Sequence, residues 1–229
     1  MKKKIIDDGF NAELVENAVF DGLFEMPLIR RNEETIIPTG LITYSQCNTP
    51  EHEKDILMFY EHDVRFKDIF IEPWKALERA RRFRGAISPD CSLYYDMPLA
   101  LQIFNTYRNR QFGHFLQENG VYTIPNIRWG DERSYEEIIA GDTPFAFQGI
   151  EKHSTVAIGT YGCSKTRIEK LHLRKGLKAM LDIIKPESVI VYGAMPTEVF
   201  SGFEVKTNFI QFPNWIKRKH EEARNGNRC

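Results

Sequence analysis

The sequence predicts an α/β protein, a single domain in which strands and helices alternate around a mostly parallel sheet. Three observations carry that expectation. Short β-branched apolar runs recur from Gly40 onward, and helical patterns with recognisable starts and stops lie between most of them. The length of 229 residues at 42% hydrophobic content supplies one sizeable core. Such alternation builds βαβ units. Uneven spacing and missing helices favour an irregular (βα) barrel, with an open, parallel, doubly wound sheet as the alternative.

Taken in order, residues 1–39 are irregular. They are helix-like over 12–19 and are then broken by Met26-Pro27 and Ile36-Ile37-Pro38, which reads as an N-terminal arm. Residues 40–212 form the α/β domain. Its expected strands are 41–44, 68–71, 85–88, 121–127, 155–160, 188–192 and 203–210. Its expected helices are 50–61, 73–83, 97–119, 134–140 and 164–185. The stretch 145–150 is ambiguous, because a strand there leaves too short a connection for parallel pairing with the next one. Residues 213–229, with Trp215, Lys217, Arg218, Lys219 and Arg224, form a basic tail.

Two of these helices carry clear punctuation. Asp96 is a good N-cap with Pro98 in the first turn, and Asn119-Gly120 is a good stop. In the helix over 164–185, Leu177, Met180, Leu181 and Ile184 form an apolar stripe that ends at Pro186. Arg167, Lys170, Arg174, Lys175 and Lys178 occupy its other faces, the pattern of a solvated surface.

Charge excludes little. The net charge is −1, from 31 basic and 32 acidic side chains, but residues 1–72 hold 8 basic against 15 acidic groups. The remainder is therefore basic, as a polyanion-binding body would be. Four scattered cysteines, Cys47, Cys91, Cys163 and Cys229, form no CxxC pair and suggest neither a disulfide framework nor a zinc site. No apolar stretch approaches the ~18 residues of a membrane span, and Asp7-Asp8 interrupts any signal-peptide core. A cytoplasmic protein is the expectation.

The stretch 124–137, IPNIRWGDERSYEE, marks the site. An apolar run breaks there into Arg128, Trp129, Asp131, Glu132 and Arg133 around Gly130. In parallel sheets, functional groups gather where strands end. On that rule Asp90, Asp131 and Glu132 become candidate catalytic carboxylates on one rim, with Asp131 and Glu132 as candidate ligands for Mg²⁺ or Mn²⁺. Arg128, Arg133 and Lys165 would steady anions, and Tyr94 adds a ring and a hydroxyl. Gly130 is expected to take φ > 0 and turn Asp131 back over the sheet. Asp131 or Arg133 is expected in the largest pocket, bonded to residues 90–96 or 107–110.

Two further places attract attention. The run Gly159-Thr-Tyr-Gly-Cys-Ser-Lys165-Thr166 approaches a phosphate-binding loop but has Ser164 where the second glycine belongs. A generic anion site at the helix start, with Ser164 and Lys165, is the weaker version. In the helix over 97–119, Asn105 and Arg108 share a face beside Phe104. They either brace the loops or touch a ligand. The six histidines show no metal-ligand spacing.

Together the segments ISPDCSLYYDMPLALQIFNTYRNR, IPNIRWGDERSYE, GTYGC and VIVYG resemble an uncharacterised domain-of-unknown-function family of bacteria, phages and plasmids. The resemblance covers about residues 39–192, with the Asp-Met-Pro and Trp-Gly-Asp-Glu-Arg boxes most specific. It implies a phage or mobile-element setting and supplies no catalytic assignments. Two functions fit: an enzyme acting on a nucleotide or phosphodiester, and a non-catalytic factor that binds a nucleotide, a nucleic acid or a host protein.

Overall fold

The computed structural model describes residues 10–48, 52 and 54–213. The arm begins with a 3₁₀ turn at Ala12–Val15 and a small antiparallel hairpin of β1 (Phe20–Asp21) and β2 (Met26–Pro27). Met26 is fully buried and packs with Leu93 and Phe145. Ile29 then bridges to Ile150, which ties the arm to the body.

A strand covered on both faces reads as a near-continuous apolar run, interrupted only by small residues such as Gly, Ser or Thr. That pattern selects β3 (Leu41–Thr43), β4 (Ile56–Met58), β5 (Gly85–Ile87) and β6 (Thr123–Ile124), which pair in parallel in that order. It also selects β7 (Val156–Gly159) and β8 (Ser188–Tyr192), which pair in parallel with each other and with a half-exposed β9 (Asn208–Phe212). A parallel bridge between Asn126 and Ala157 joins the two sets. There the Ile127 N–H donates to the Ala157 carbonyl at 2.8 Å, and the Ala157 N–H donates to Pro125 at 2.9 Å. Among the described residues, seven parallel strands thus follow one another in chain order. The reversal of a doubly wound sheet is absent, and no pairing closes β9 onto β3 among those residues.

The period-2 alternation of side chains divides the core. Leu41, Ile56, Met58, Ile87, Ile124, Ala157 and Ile190 point to one side and meet in a single buried cluster, so the sheet curls around its own inner face. Their neighbours point the other way, to the helices. Ile42, Leu57 and Ala86 pack under α1 (Asp68–Ile71), α2 (Pro73–Ala80) and α3 (Leu99–Glu118). Val156, Ile158, Val189 and Val191 pack under α4 (Glu132–Tyr135), α5 (Arg167–Ile183) and α6 (Thr197–Phe200).

Several elements differ from expectation. Within the stretch 50–61 expected as a helix, Ile56–Met58 is a strand, β4, with Ile56 and Met58 buried in the inner cluster and Leu57 under the helices. The strand expected over 68–71 is one helical turn, α1, with adjacent Ile69 and Phe70 facing the same core. The last strand lies later than expected, and α4 spans one turn only. Residues 145–147 form a 3₁₀ turn. Pro98, not Asp96, stands at the start of α3, with no side-chain cap. Thr166, not Ser164, caps α5 in a reciprocal capping box with Glu169. The basic tail over 214–229 lies outside the described residues.

Candidate functional site

Because all seven strands run in parallel, their C-terminal ends share one rim. Tyr60 follows β4, Asp90 follows β5, Asn126 and Arg128 follow β6, Cys163 follows β7, and Tyr192 ends β8. These groups bond to one another. The Arg128 guanidinium donates from Nη1 to Asp90 Oδ2 at 2.8 Å and from Nη2 to the Cys163 sulfur at 3.3 Å. Asn126 Nδ2 donates to Asp90 Oδ1 at 3.0 Å, and the Tyr60 hydroxyl donates to Asn126 Oδ1 at 2.9 Å. Tyr60 stacks on Tyr192 with ring centroids 5.1 Å apart, closing the inner face beneath. Asp63 is nearby and accepts from the Ser92 N–H at 3.2 Å and the Ser92 hydroxyl at 2.6 Å.

Burial sets the electrostatics of this centre. It pushes the Asp90 carboxyl above the usual carboxylate range, against the pull of Arg128 and of the Asn126 amide. It opposes the charge on Arg128 too and is the largest single influence there, but Asp90 together with Cys163, Tyr94 and Tyr60 more than offsets it and holds the guanidinium protonated. The Tyr60 phenol is driven well up, first by burial and then by the charge of Asp90. The pair is mostly buried and is bonded also to Asn126 and Cys163, so it orients whatever contacts it.

The other expected carboxylates are engaged elsewhere. Asp131 caps α4: its Oδ1 accepts the Arg133 N–H at 3.2 Å and its Oδ2 accepts Arg133 Nε at 2.9 Å. Arg133 reaches on to the Met97 carbonyl at 3.2 Å, so its contact outside the loop lies just beyond the segment expected. Glu132 is exposed, 3.9 Å from His172 Nδ1. Asp131 and Glu132 therefore do not fit Mg²⁺ or Mn²⁺, since Arg133 already takes both Asp131 oxygens. Among the described residues, no three His, Cys, Asp or Glu side chains stand together in a way that would hold a metal.

Gly130 is not in the left-handed region either. Its reason is close approach: a Cβ there would lie 2.4 Å from Gln102 Oε1 and 2.8 Å from the Tyr94 carbonyl. The glycine lets the strand end sit directly on the loop that carries Tyr94.

The start of α5 is already occupied by an anion of the chain itself. The Glu169 carboxylate accepts the N–H of Lys165 at 2.8 Å and of Thr166 at 2.7 Å. Backbone bonding from Thr166 is the main cause that holds Glu169 below its usual range. Ser164 donates to the Thr160 carbonyl at 3.4 Å, and Lys165 is exposed.

Polar α3 is resolved into two functions. Asn109 and Arg110 brace the strand ends: Asn109 Nδ2 donates to the carbonyls of Pro89 at 2.5 Å and Asn126 at 3.1 Å. Arg110 donates to Gln148 at 2.8 Å, Asn126 at 3.0 Å, Ala146 at 2.7 Å and Asn109 Oδ1 at 2.6 Å. Asn105 also braces, bonding the Ser92 carbonyl at 2.7 Å. Arg108 instead lies over the ring of Phe70, 4.0 Å from its centroid. It lines a hollow of about 460 Å³ with Asn11, Lys67, Phe70, Ile71, Phe104 and Gln111, and neither Asp131 nor Arg133 belongs to that hollow.

Tyr60 and Asn126 were not singled out in the sequence. A signal for Asn126 existed, as a lone polar residue inside the apolar run 121–127. Tyr60 was hidden because its strand reads as a helix.

Among the described residues, no helix is long and apolar enough to cross a membrane. Residues 18–213 match the family described as a domain of unknown function, DUF4417. The "Gene 1 protein" of Mycobacterium phage D29 is 29% identical over 178 residues, 75% of this chain and 61% of that protein. The "Gene 1 protein" of Mycobacterium phage L5 is 29% identical over 178 residues, 75% of this chain and 72% of that one. The match therefore spans less than two thirds of the D29 protein's length. No solved structure matches. With most of its length covered, the chain belongs to the DUF4417 family, and these phage proteins are its relatives.

Proposed function

We propose that the rim binds a nucleotide or a nucleic-acid strand, and that the protein serves a phage or plasmid as a binding factor. One observation carries this reading. Three tyrosine rings, Tyr94, Tyr95 and Tyr161, stand 52%, 42% and 50% exposed on the two loops that flank the Arg128–Asp90 pair. Exposed rings beside cations suit bases and phosphates, and base–aromatic stacking contributes roughly 1–3 kcal/mol per base. Lys165 is the exposed cation of one loop, and the half-exposed Arg133 lies beside the other. The carboxylates required for a two-metal or paired-acid phosphodiesterase are separately engaged, which favours binding over that chemistry.

The test is fluorescence anisotropy with labelled single-stranded DNA and RNA and with labelled nucleotides at low salt. Tyr94→Ala and Tyr161→Ala should each weaken binding about five- to a hundredfold, and affinity should fall with salt at a slope of about −0.7 per contacted phosphate. No binding to any of these probes defeats the reading.

A second reading keeps an enzyme acting on a nucleotide. Its support is Asp90, a carboxyl raised by burial and paired with a guanidinium that also bonds the Cys163 sulfur, the setting of a proton-transfer group. Nucleotide turnover abolished by Asp90→Asn, with binding retained, would favour it.

A further inference from the structure

We infer that the hollow between α1 and α3 is a second binding site, for a phosphate monoester carried on a planar body about the size of a nucleoside monophosphate. Charge is the first argument. Lys67 and Arg108 line the hollow, and no carboxylate does. Asp68, next to Lys67 in the chain, faces other groups: it accepts Arg79 Nη1 at 2.9 Å and the Tyr44 hydroxyl at 2.9 Å. Among the described residues, neither Lys67 nor Arg108 has an acidic partner within ion-pair distance, in contrast to Arg128 and Arg133 on the rim. Two uncompensated cations on one cavity match a phosphate monoester, which carries about −1.5 to −2 charges at neutral pH.

Shape is the second argument. The Arg108 guanidinium lies 4.0 Å from the Phe70 ring centroid and 5.6 Å from that of Phe104. A guanidinium seated on a ring keeps its edge donors for a bidentate oxyanion contact. Exposed Ile71 and Phe104 supply an apolar wall for a flat ring. A volume of about 460 Å³ falls within the range of small-molecule sites.

Gln111 adds a third. It is fully buried and its Nε2 donates to the Phe10 carbonyl at 2.5 Å. Among the described residues, its Oε1 has no hydrogen-bond partner. A buried acceptor left without a donor is unfavourable, and a ligand N–H or O–H reaching the floor of the hollow would satisfy it. This site shares no residue with the rim described above, so it stands whether or not the rim binds a strand.

The experiment is titration calorimetry of the full chain with AMP, GMP, CMP and UMP, with adenosine and inorganic phosphate as separate arms. At least one nucleotide should bind with a micromolar Kd, and adenosine or phosphate alone should bind at least tenfold more weakly. Arg108→Met should reduce that affinity at least tenfold and Lys67→Met by several-fold. Lys67 is exposed, so its variant tests the site even if Arg108→Met perturbs folding, and thermal melts report that directly. Because the rim is itself read as a nucleotide site, the titrations are repeated in Tyr161→Ala, where the binding component sensitive to Arg108→Met and Lys67→Met should persist. The inference is overturned if none of the four nucleotides binds, if binding is undiminished in both Arg108→Met and Lys67→Met, or if it is lost only in Tyr161→Ala. The last result would leave the rim reading standing.

Discussion

The indole of Trp129 lies directly against the Cα of Gly176. A Cβ on residue 176 would fall 2.3 Å from Trp129 Nε1 and 2.4 Å from its Cδ1. The same indole N–H donates to the His172 carbonyl one turn earlier at 3.1 Å. The strand end after β6 and the middle of α5 are thus joined by a ring that only glycine admits.

Gly176→Ala should therefore destabilise the protein, although alanine favours a helix interior by about 1 kcal/mol over glycine. Overpacking a filled site costs about 1–3 kcal/mol and outweighs that gain. Denaturant unfolding followed by Trp fluorescence measures both the loss and the displaced ring. A variant as stable as the parent would mean that the indole moves aside freely.

Arg110→Met should be severely destabilising. It strands the Gln148 and Ala146 carbonyls in the core, at about 1–3 kcal/mol for each group left bare, and removes one of the two donors of the Asn126 carbonyl and of the Asn109 side-chain oxygen. A loss above about 3 kcal/mol is expected by urea unfolding. Desolvation already lowers the guanidinium to about 9. Since the unfolded arginine titrates higher, the unfolded chain binds the extra proton above pH 9, and this group's penalty eases as pH rises through that region. The penalty is fully present at neutral pH, so Arg110 is retained for the loops it holds rather than for its charge.

Glu169 gives a slope of the same sign, but in the acid range. Its carboxyl is lowered by hydrogen bonding from the start of α5, so its contribution is present above the ordinary carboxylate pKa and is lost as pH falls through the lowered value. Glu169→Gln should flatten the acid limb of the stability profile below about pH 4.5. Thr166→Ala should remove about 0.5–2 kcal/mol at neutral pH. Thermal melts between pH 3 and 7 resolve the two effects, and parallel acid limbs for parent and Glu169→Gln would refute the assignment.

Much of the fold was legible because strands such as Ser188–Tyr192 are covered on both faces and read as unbroken apolar runs. Ile56–Met58 was misread because a short buried run has no period to separate strand from helix. The rim was legible in part: Asp90 and Arg128 do meet, since parallel strands bring their ends together whatever the loops do. Asp131 was not, because capping its own helix is a local choice that a sequence renders identically to a catalytic carboxylate. On α3 Asn105 braces a loop as one of its two expected roles, but the main brace falls to Asn109 and Arg110. That helix has no apolar stripe to orient it, so Arg108 and Arg110, two positions apart, were indistinguishable until the backbone placed one on a hollow and the other in the core.

The order of the strands also sets a sequence of events during synthesis. Each parallel strand neighbours the one made before it, so the sheet can be laid down progressively as the chain emerges. The arm cannot join in that order. Leu23 bonds Asp142, Asp21 bonds the Gly149 N–H, and Ile29 bonds the Gly149 carbonyl, across separations of more than a hundred residues. The arm is thus held without these partners until synthesis has passed Gly149, and its docking reports that the central strands are already in place.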